Sequence, residues 1–340
     1  MGHNTYTRLI TFFGSVFSCF IVYSMVFTYT CPHENDACTT ILVARPHYRS
    51  ILIANENTTE NLYREKVGIK RLHEEHEHLI ETLTNHGVRV HDIMCSLADP
   101  TVRNDLGNMI FTRDPILCTP KGVVLGRFRE PVRRMETELV QGALDRLHIP
   151  VLGQIESPGF VEGGDFIPAG ERVFIAIGNR TNLEGVQQML DNDWFGTEAV
   201  AIVEYPEDGQ MKAIHLDCYL GIVGKKHAVV WKHALEVATV TELRKYHGCT
   251  TYETSLSQIP LAYYLTDHCG FELIVVNDKS QEKYACNLLD IGHGCVLTQE
   301  EFVTQELLAR GYYTIFIPFQ EVHKMYGGIR CATQTVQRIP

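Results

Sequence analysis

A repeated alternation of strand-like and helix-like segments constrains the fold of this chain more than any other feature of its sequence. About five times between residues 40 and 340, an apolar strand pattern leads into an amphipathic helix pattern and then into another strand. The helix pattern 299–309, for example, precedes the strand pattern 312–317. No Gly/Ser-rich or Pro-rich linker separates the units, so the sequence predicts one continuous α/β domain.

The first of these units begins at residue 39. The apolar stretch 39–54 is predicted as a strand that Pro46 interrupts. Residues 60–86 are charged, with Leu and Ile at helical spacing, and are predicted as a helix. A second strand is expected from Val88 onward.

Composition and charge exclude one large class of partner. Apolar residues make up 45% of the 340 positions, which is enough to bury the core of a globular protein. The formal net charge of −11 has the wrong sign for binding a phosphate backbone. We therefore expect no nucleic-acid partner, while the oligomeric state stays open.

Cysteine usage gives no sign of a structural metal site. The 11 cysteines are scattered without the short CxxC spacing that zinc sites require. Their odd number also differs from a closed disulfide framework. The sequence therefore predicts no metal.

The N-terminal segment 9–27 contains no charged residue and consists mainly of Phe, Ile, Val and Leu. A segment of about 20 such residues is long enough to cross a bilayer. Arg8 precedes it and acidic residues follow it, which favours a cytosolic N-terminus. The sequence thus predicts a membrane anchor in residues 1–30, preceding a main domain of residues 31–340. A cleaved signal segment of a secreted protein is the alternative.

Polar clusters interrupt the strand-like segments, where α/β proteins commonly carry functional residues. The first cluster contains Arg113 and Asp114 before a proline, and the second places Glu162 and Asp165 around two glycines. Carboxylates between apolar runs are costly to bury unless cations or hydrogen-bond donors meet them. Each cluster alone is also explained by an ordinary turn.

Two further clusters supply reactive groups. In His215-Leu-Asp217, a strand would place both polar side chains on one face, and imidazole is a general acid and base near neutral pH. Near the C-terminus, Cys331 follows Arg330, and a neighbouring cation favours the nucleophilic thiolate. A structural histidine or a buried cysteine is the commoner explanation of either cluster alone. Together the four clusters predict nucleophilic catalysis on a cationic substrate.

The order and spacing of the clusters resemble the guanidino-group modifying superfamily. The segments that carry the resemblance are Phe111-Thr-Arg-Asp-Pro, Glu162-Gly-Gly-Asp, His215-Leu-Asp and Gly327-Gly-Ile-Arg-Cys. That superfamily includes arginine deiminases, dimethylarginine hydrolases, agmatine deiminases and glycine amidinotransferases. The resemblance implies a pentein fold, a five-bladed α/β propeller of ββαβ units, which here would follow an N-terminal hydrophobic helix.

The resemblance also implies catalytic roles that need no metal or cofactor. Cys331 would attack the guanidinium carbon to form a covalent thiouronium intermediate. His215 would act as general acid and then as general base, and Glu162 would orient it. These roles suit a small guanidino substrate.

Acidic residues would hold the guanidinium. Asp114 and Asp217 would bind its nitrogens, and Asp165 would be a more distant contact or meet the substrate amine. A planar cation with five N–H donors suits several carboxylates. Dimethylarginine hydrolases typically lack the aspartate found here at 217, so the resemblance favours an unsubstituted guanidine.

Basic residues are candidates for binding a substrate carboxylate. The run 126–137 resembles an arginine-rich stretch of arginine deiminases, in which Arg127 is the nearest match to the carboxylate-binding arginine. Arg129 is the second choice in that run. Arg180, in a segment that resembles the border of the same site, is another candidate.

The sequence therefore favours an arginine deiminase-like hydrolase that converts L-arginine to L-citrulline and ammonia. Asp114 and Glu162 lie too close together for the helical insertion of bacterial arginine deiminases, and in this respect the chain resembles a dimethylarginine hydrolase. A methylarginine hydrolase and an amidinotransferase acting on an amine are the alternatives within the superfamily. An agmatine deiminase is disfavoured if an arginine binds a carboxylate. A non-catalytic, membrane-tethered guanidine-binding protein is the alternative from another class.

Overall fold

The computed structural model describes residues 29–96, 106–206, 211–246 and 251–340. Five sheets of one plan make up its framework: a central strand pairs antiparallel with one neighbour and parallel with the other. The central strands are β1 (Ala37–Val43), β4 (Val123–Leu125), β7 (Arg172–Ile177), β10 (His227–Trp231) and β15 (Cys295–Thr298).

The flanking strands repeat this plan in chain order. The antiparallel partners of the central strands are β17 (Gln334–Ile339), β3 (Ile116–Cys118), β6 (Phe166–Ala169), β9 (Leu220–Val223) and β14 (Leu289–Gly292). The parallel partners are β2 (Arg89–Asp92), β5 (Val151–Gln154), β8 (Ala199–Glu204), β13 (Glu272–Val276) and β16 (Tyr313–Phe316). A hairpin of β11 (Thr239–Lys245) and β12 (Tyr252–Pro260) extends the third sheet beyond β8.

Helices connect each central strand to its parallel partner, because parallel strands need a crossover. The helices are α1 (Tyr48–Glu56), α2 (Ile69–Asn85), α3 (Arg134–Arg146), α4 (Leu183–Asp191), α5 (Lys232–Val237), α6 (Leu261–Tyr263), α7 (Asp278–Gln281), α8 (Glu301–Ala309) and α9 (Gln320–His323). Of these, α7 lies between β13 and β14 and α9 between β16 and β17, so these two lead from one sheet to the next. A short π-helix, Tyr264–His268, continues α6. The prediction of an α/β domain with strand–helix–strand units is thus confirmed.

The first unit differs from its prediction in one respect. The structure forms β1 up to residue 43, but the second half of the predicted strand 39–54 is the helix α1. Ile51 and Ala54 are buried while Leu52 is exposed, so the apolar run has a helical face. Pro46 therefore separates two elements rather than interrupting one strand.

The predicted membrane localisation is contradicted by the structure. In the four ranges that the structure describes, no helix is long and apolar enough to cross a membrane. The longest of these helices, α2, has 17 residues and carries charged side chains along its length, whereas a span needs about 20 mainly apolar residues. The apolar segment 9–27 and the N-terminal helix predicted for it lie outside the described residues.

Candidate active site

Cys331 lies in the turn before β17, with only 4% of its surface exposed. Asn287, in the turn before β14, donates from Nδ2 to the Cys331 sulfur at 3.0 Å. Its Oδ1 accepts from the backbone N–H groups of Arg330 and Cys331 at 2.9 and 3.2 Å. Asn287 therefore fixes both the thiol and the turn that carries it. Sequence analysis missed this residue, because an asparagine before an apolar strand carries no distinctive signal.

Asp217 lies beside the same sulfur. Its two carboxylate oxygens are 4.0 and 3.9 Å from Cys331 Sγ, and Arg330 Nη1 donates to one of them at 3.0 Å. Burial raises the pKa of the Cys331 thiol well above its usual value, and the charges of Asp217 and Asp114 add to this. The free protein therefore holds Cys331 as a thiol, and an added cation would favour the thiolate.

His215 and Glu162 form a buried pair in which His215 Nε2 lies 2.9 Å from Glu162 Oε2. Burial disfavours the imidazolium, but Asp114 and the bond to Glu162 outweigh it and raise the pKa of His215 to about 9. Burial also opposes the Glu162 carboxylate, yet the hydrogen bond from His215 keeps its pKa below the usual value. At neutral pH the pair is an imidazolium held by a carboxylate, which is the state of a general acid.

The local backbone around His215 differs from the prediction. His215 itself is extended, but residues 216–218 form a 3-10 turn rather than a continuing strand. The turn directs Asp217 toward Cys331 and His215 toward Glu162.

One carboxylate oxygen of Asp114 accepts a hydrogen bond, whereas the other has no partner among the described residues. Arg133 Nη1 donates to Asp114 Oδ2 at 2.5 Å. Asp114 Oδ1 is buried, has no hydrogen-bond partner among the described residues, and lies 3.8 Å from His215 Nδ1. An unpaired buried carboxylate oxygen is costly, so Asp114 is suited to receive an N–H donor from a ligand. Arg133, which sequence analysis did not single out, also binds Glu136 through two hydrogen bonds.

These groups meet at one small cavity. Its lining includes Asp114, Arg133, Arg180, His215, Tyr326 and Cys331. Its volume of about 20 Å³ is enough for roughly one water molecule. A guanidino amino acid needs more room, so binding requires some of the lining side chains to move.

The three arginines that are candidates for binding a substrate carboxylate differ in whether they line this cavity. Arg180 is 5% exposed and lines this cavity, as well as an adjoining open cavity of about 470 Å³ that Arg129 also lines. The Arg127 guanidinium donates to the Gly159 carbonyl at 3.1 Å and stacks over the ring of Phe160. The structure thus brings Arg180, rather than Arg127, to Asp114 and Cys331.

Asp165 is hydrogen-bonded to the 3-10 turn that follows His215. Its Oδ1 accepts from the Leu216 backbone N–H at 2.9 Å, and its Oδ2 accepts from the Thr181 hydroxyl at 2.7 Å. Burial raises the pKa of Asp165 to about 7. Both oxygens already have protein donors, so Asp165 is a structural neighbour of the site in this conformation.

A stability measurement tests the state of Asp165. In the unfolded chain its carboxyl ionises near pH 4, whereas the folded state keeps the proton until about pH 7. Folding is therefore penalised progressively between these pH values and by a constant amount above them. We expect Asp165→Asn to gain stability relative to the native chain as pH rises from 4 to 7, by a few kcal/mol at most. Urea unfolding at pH 4.5 and pH 8 measures this; an equal difference at both values contradicts it.

Asp114, Glu162 and His215 carry ligand atoms that one metal ion could share. One ligand atom from each lies within 4.8 Å of the others, the only such group of three found among the described residues. Neutral imidazole and carboxylates are suitable ligands for several divalent metals. In this structure His215 Nε2 and Glu162 Oε2 are bonded to each other rather than to a metal.

With this geometry in place, the comparisons with known proteins define the class. The arginine deiminase family model matches residues 96–338, a stretch that contains all four polar clusters. The chain belongs to the arginine deiminase family, whose enzymes are hydrolases acting on carbon–nitrogen bonds of amidines.

Individual relatives are similar at a lower level. YkgA of Bacillus subtilis, an uncharacterized protein, is 24% identical over 313 residues, which are 91% of this chain and 95% of YkgA. The dimethylarginine dimethylaminohydrolase of Pseudomonas aeruginosa is 24% identical, with 71% of this chain and 80% of that protein covered. The arginine deiminase of Halobacterium salinarum is also 24% identical, with 69% and 65% covered.

Solved structures share the fold. The P. aeruginosa dimethylarginine dimethylaminohydrolase in complex with citrulline superposes with a TM-score of 0.65 at 20% identity, covering 87% of this chain and 98% of that one. The N-terminal domain of ArgZ, an arginine dihydrolase from cyanobacteria, gives 0.67 at 16% identity, covering 89% and 98%. The chain therefore has the pentein type of α/β fold that these enzymes share.

Proposed function

We propose that this protein is a guanidino hydrolase that converts L-arginine to L-citrulline and ammonia through a covalent intermediate on Cys331. The observation that carries the proposal is that Cys331, His215 and Asp114 line one small cavity, with His215 bonded to Glu162 and one oxygen of Asp114 unpaired among the described residues. Membership of the arginine deiminase family supports it.

Substrate binding follows from charge. The guanidinium is a planar cation whose N–H groups can donate to Asp114 Oδ1 and to Asp217. Burial, together with Asp217 and Asp114, holds Cys331 in the thiol form, and the guanidinium charge offsets these two carboxylates. The thiol then releases its proton to water, and the thiolate stands beside the electrophilic carbon.

The first chemical step forms the intermediate. Cys331 Sγ bonds to the guanidinium carbon, and one C–N bond of the resulting tetrahedral centre breaks. His215, protonated at neutral pH, gives its proton to the departing nitrogen, which leaves as ammonia. The product of this step is a thiouronium on Cys331 and a neutral His215 beside Glu162.

The second step regenerates the enzyme. Neutral His215 takes a proton from a water molecule, whose oxygen bonds to the thiouronium carbon. The C–S bond breaks, Cys331 leaves as the thiolate, and the ureido product loses a proton to become citrulline. Arg180, which lines the cavity, would bind the substrate carboxylate.

Parallel assays test the proposal. The purified, reduced protein is given L-arginine, methylated arginines and agmatine, with and without EDTA, and Cys331→Ala serves as the control. We expect citrulline and ammonia from L-arginine in the native protein only, with no effect of EDTA. Loss of activity in EDTA would instead assign Asp114, Glu162 and His215 to a metal. An absence of any product would favour amidino transfer or a binding protein.

A dimethylarginine hydrolase is the second candidate. The P. aeruginosa relative is named for that activity and is as similar in sequence as the arginine deiminases are. The same residues would carry the same steps, with a methylamine rather than ammonia as the leaving group. Citrulline formed only from methylated substrates would establish this function in place of the first.

We also infer that residues 31–340 form a single catalytic domain in which the five sheets close into a five-bladed propeller around the site. Five sheets of one plan support this, as does the return of β17 to pair with β1. Small-angle scattering of the whole chain tests the closed shape.

A further inference from the structure

The geometry points to Glu34 as a positioning residue. Glu34 binds Arg330, which also binds Asp217, and thereby neutralises part of the Arg330 charge. The negative charge of Asp217 is then available to a cationic substrate at Cys331. This inference rests on the proposed function for its choice of ligands. Glu34 lies outside the stretch 96–338 that the family model matches, and it is one of the acidic residues that follow the N-terminal apolar segment 9–27.

A chain of buried contacts connects Glu34 to the thiol. Glu34 Oε1 accepts from Arg330 Nη2 at 2.7 Å. Arg330 Nη1 donates to Asp217 Oδ2 at 3.0 Å, and that oxygen lies 3.9 Å from Cys331 Sγ. Glu34, Arg330 and Asp217 are 5%, 2% and 0% exposed, so solvent screens these charges little.

The segment before β1 carries Glu34 into the interior. The Cys31 backbone N–H donates to the Thr119 carbonyl and the Glu34 N–H to the Pro168 carbonyl, both at 3.1 Å. These bonds attach the segment to the second and third sheets. Glu34 thereby reaches Arg330 across 296 positions of sequence.

The charge balance explains what Glu34 contributes. Besides Arg330, Glu34 faces Arg338, 3.6 Å away, and the charge of buried Arg113. Burial opposes the Glu34 carboxylate, but these arginines hold its pKa at about 2. If this carboxylate is neutralised, fewer acidic groups balance the cations: Asp217 still acts on Arg330 and Arg113, and Asp290 on Arg338. The potential at the substrate site then becomes more positive.

Two effects of Glu34→Gln follow from this more positive potential. A cationic ligand binds more weakly, whereas a neutral ligand of the same shape is affected little. The Cys331 thiol loses its proton at lower pH, because a positive environment favours the thiolate. A purely structural role for Glu34 predicts neither the selectivity for charge nor this direction of change.

Calorimetry tests the first effect with the full chain in a Cys331→Ser background, where no turnover occurs. L-arginine is the cationic probe and L-citrulline the neutral one. We expect Glu34→Gln to raise the dissociation constant of arginine about tenfold, which corresponds to the free energy of one charge-assisted hydrogen bond. The dissociation constant of citrulline should rise by less than about twofold. Equal weakening of both ligands would assign Glu34 a structural role only.

Alkylation tests the second effect without any substrate. The rate at which iodoacetamide modifies Cys331 is followed from pH 6 to 10 by mass spectrometry of its peptide. We expect Glu34→Gln to shift this profile toward lower pH, and Glu34→Asp, which retains the charge, to restore most of it. An unchanged profile in Glu34→Gln overturns the inference. Because alkylation needs no turnover, this experiment tests the role of Glu34 even if the protein hydrolyses no guanidine.

A matched variant controls for the loss of any buried carboxylate. Glu242 is also buried, and it binds Arg244 and Tyr264 in the extension of the third sheet. We expect Glu242→Gln to change neither the arginine-to-citrulline ratio nor the alkylation profile. A shift in this control equal to that of Glu34→Gln would show a general effect of destabilisation and overturn the inference.

Discussion

Cys331→Ser is expected to lower citrulline formation from L-arginine by about 10⁴-fold or more while arginine binding is retained. A serine hydroxyl is a far weaker nucleophile, and this site offers it no neutral base, because His215 is protonated at neutral pH. The binding groups Asp114 and Asp217 are unchanged by the substitution. Turnover is measured by citrulline formation and binding by calorimetry.

A second buried cysteine provides the control for Cys331→Ser. Cys295 lies in β15 within the same apolar cluster as Cys331. We expect Cys295→Ser to lose some stability and to retain most of the turnover. Near-normal citrulline production by Cys331→Ser would show that another group is the nucleophile.

The sequence predicted which clusters would meet, but not how they are held. Asp114, Glu162, His215 and Cys331 are far apart in sequence, and the structure brings them to adjacent positions. Each follows a local signal, such as a glycine pair or a strand end, that can be recognised in a single sequence. Their roles stay predictions until variants are assayed.

The groups that hold these residues have no comparable local signal. Asn287, Arg133 and Glu34 act through contacts that span 44, 19 and 296 positions. Such contacts depend on how the five sheets pack against each other, which strand and helix periodicity does not specify. The same limit explains α1, because an apolar run as short as 51–54 fits a strand or a buried helix face equally well.

The site combines an excess of carboxylates with arginines that partly neutralise them. Arg133 pairs with Asp114, and Arg330 pairs with Asp217. Arg133 is shared between Asp114 and Glu136, and Arg330 between Asp217 and Glu34. Burial, together with the charges of Asp217 and Asp114, keeps Cys331 protonated. A guanidinium that enters the cavity both gains these carboxylates and activates the nucleophile, so affinity and reactivity have a common electrostatic origin.

The second large effect is expected at His215. His215→Asn removes the group that protonates the leaving nitrogen and later activates water, so kcat should fall by about 10²–10⁴-fold. The effect on KM should be small, because Asp114 and Asp217 remain to bind the guanidinium. A proportional rise in KM with unchanged kcat would instead place His215 among the binding residues.

The pH profile of Glu162→Gln distinguishes acid–base catalysis by His215 from a role of His215 in positioning alone. With the pKa of His215 raised to about 9, kcat of the native enzyme, which reports the substrate complex, should fall as pH rises through about 9, where the imidazolium is deprotonated. Glu162→Gln removes a carboxylate that stabilises the imidazolium, so this alkaline limb should move to lower pH. Glu300→Gln, at a buried glutamate that caps α8, should leave it in place. If the limb stays near pH 9 in Glu162→Gln, another group titrates there, and His215 is not the acid that releases ammonia.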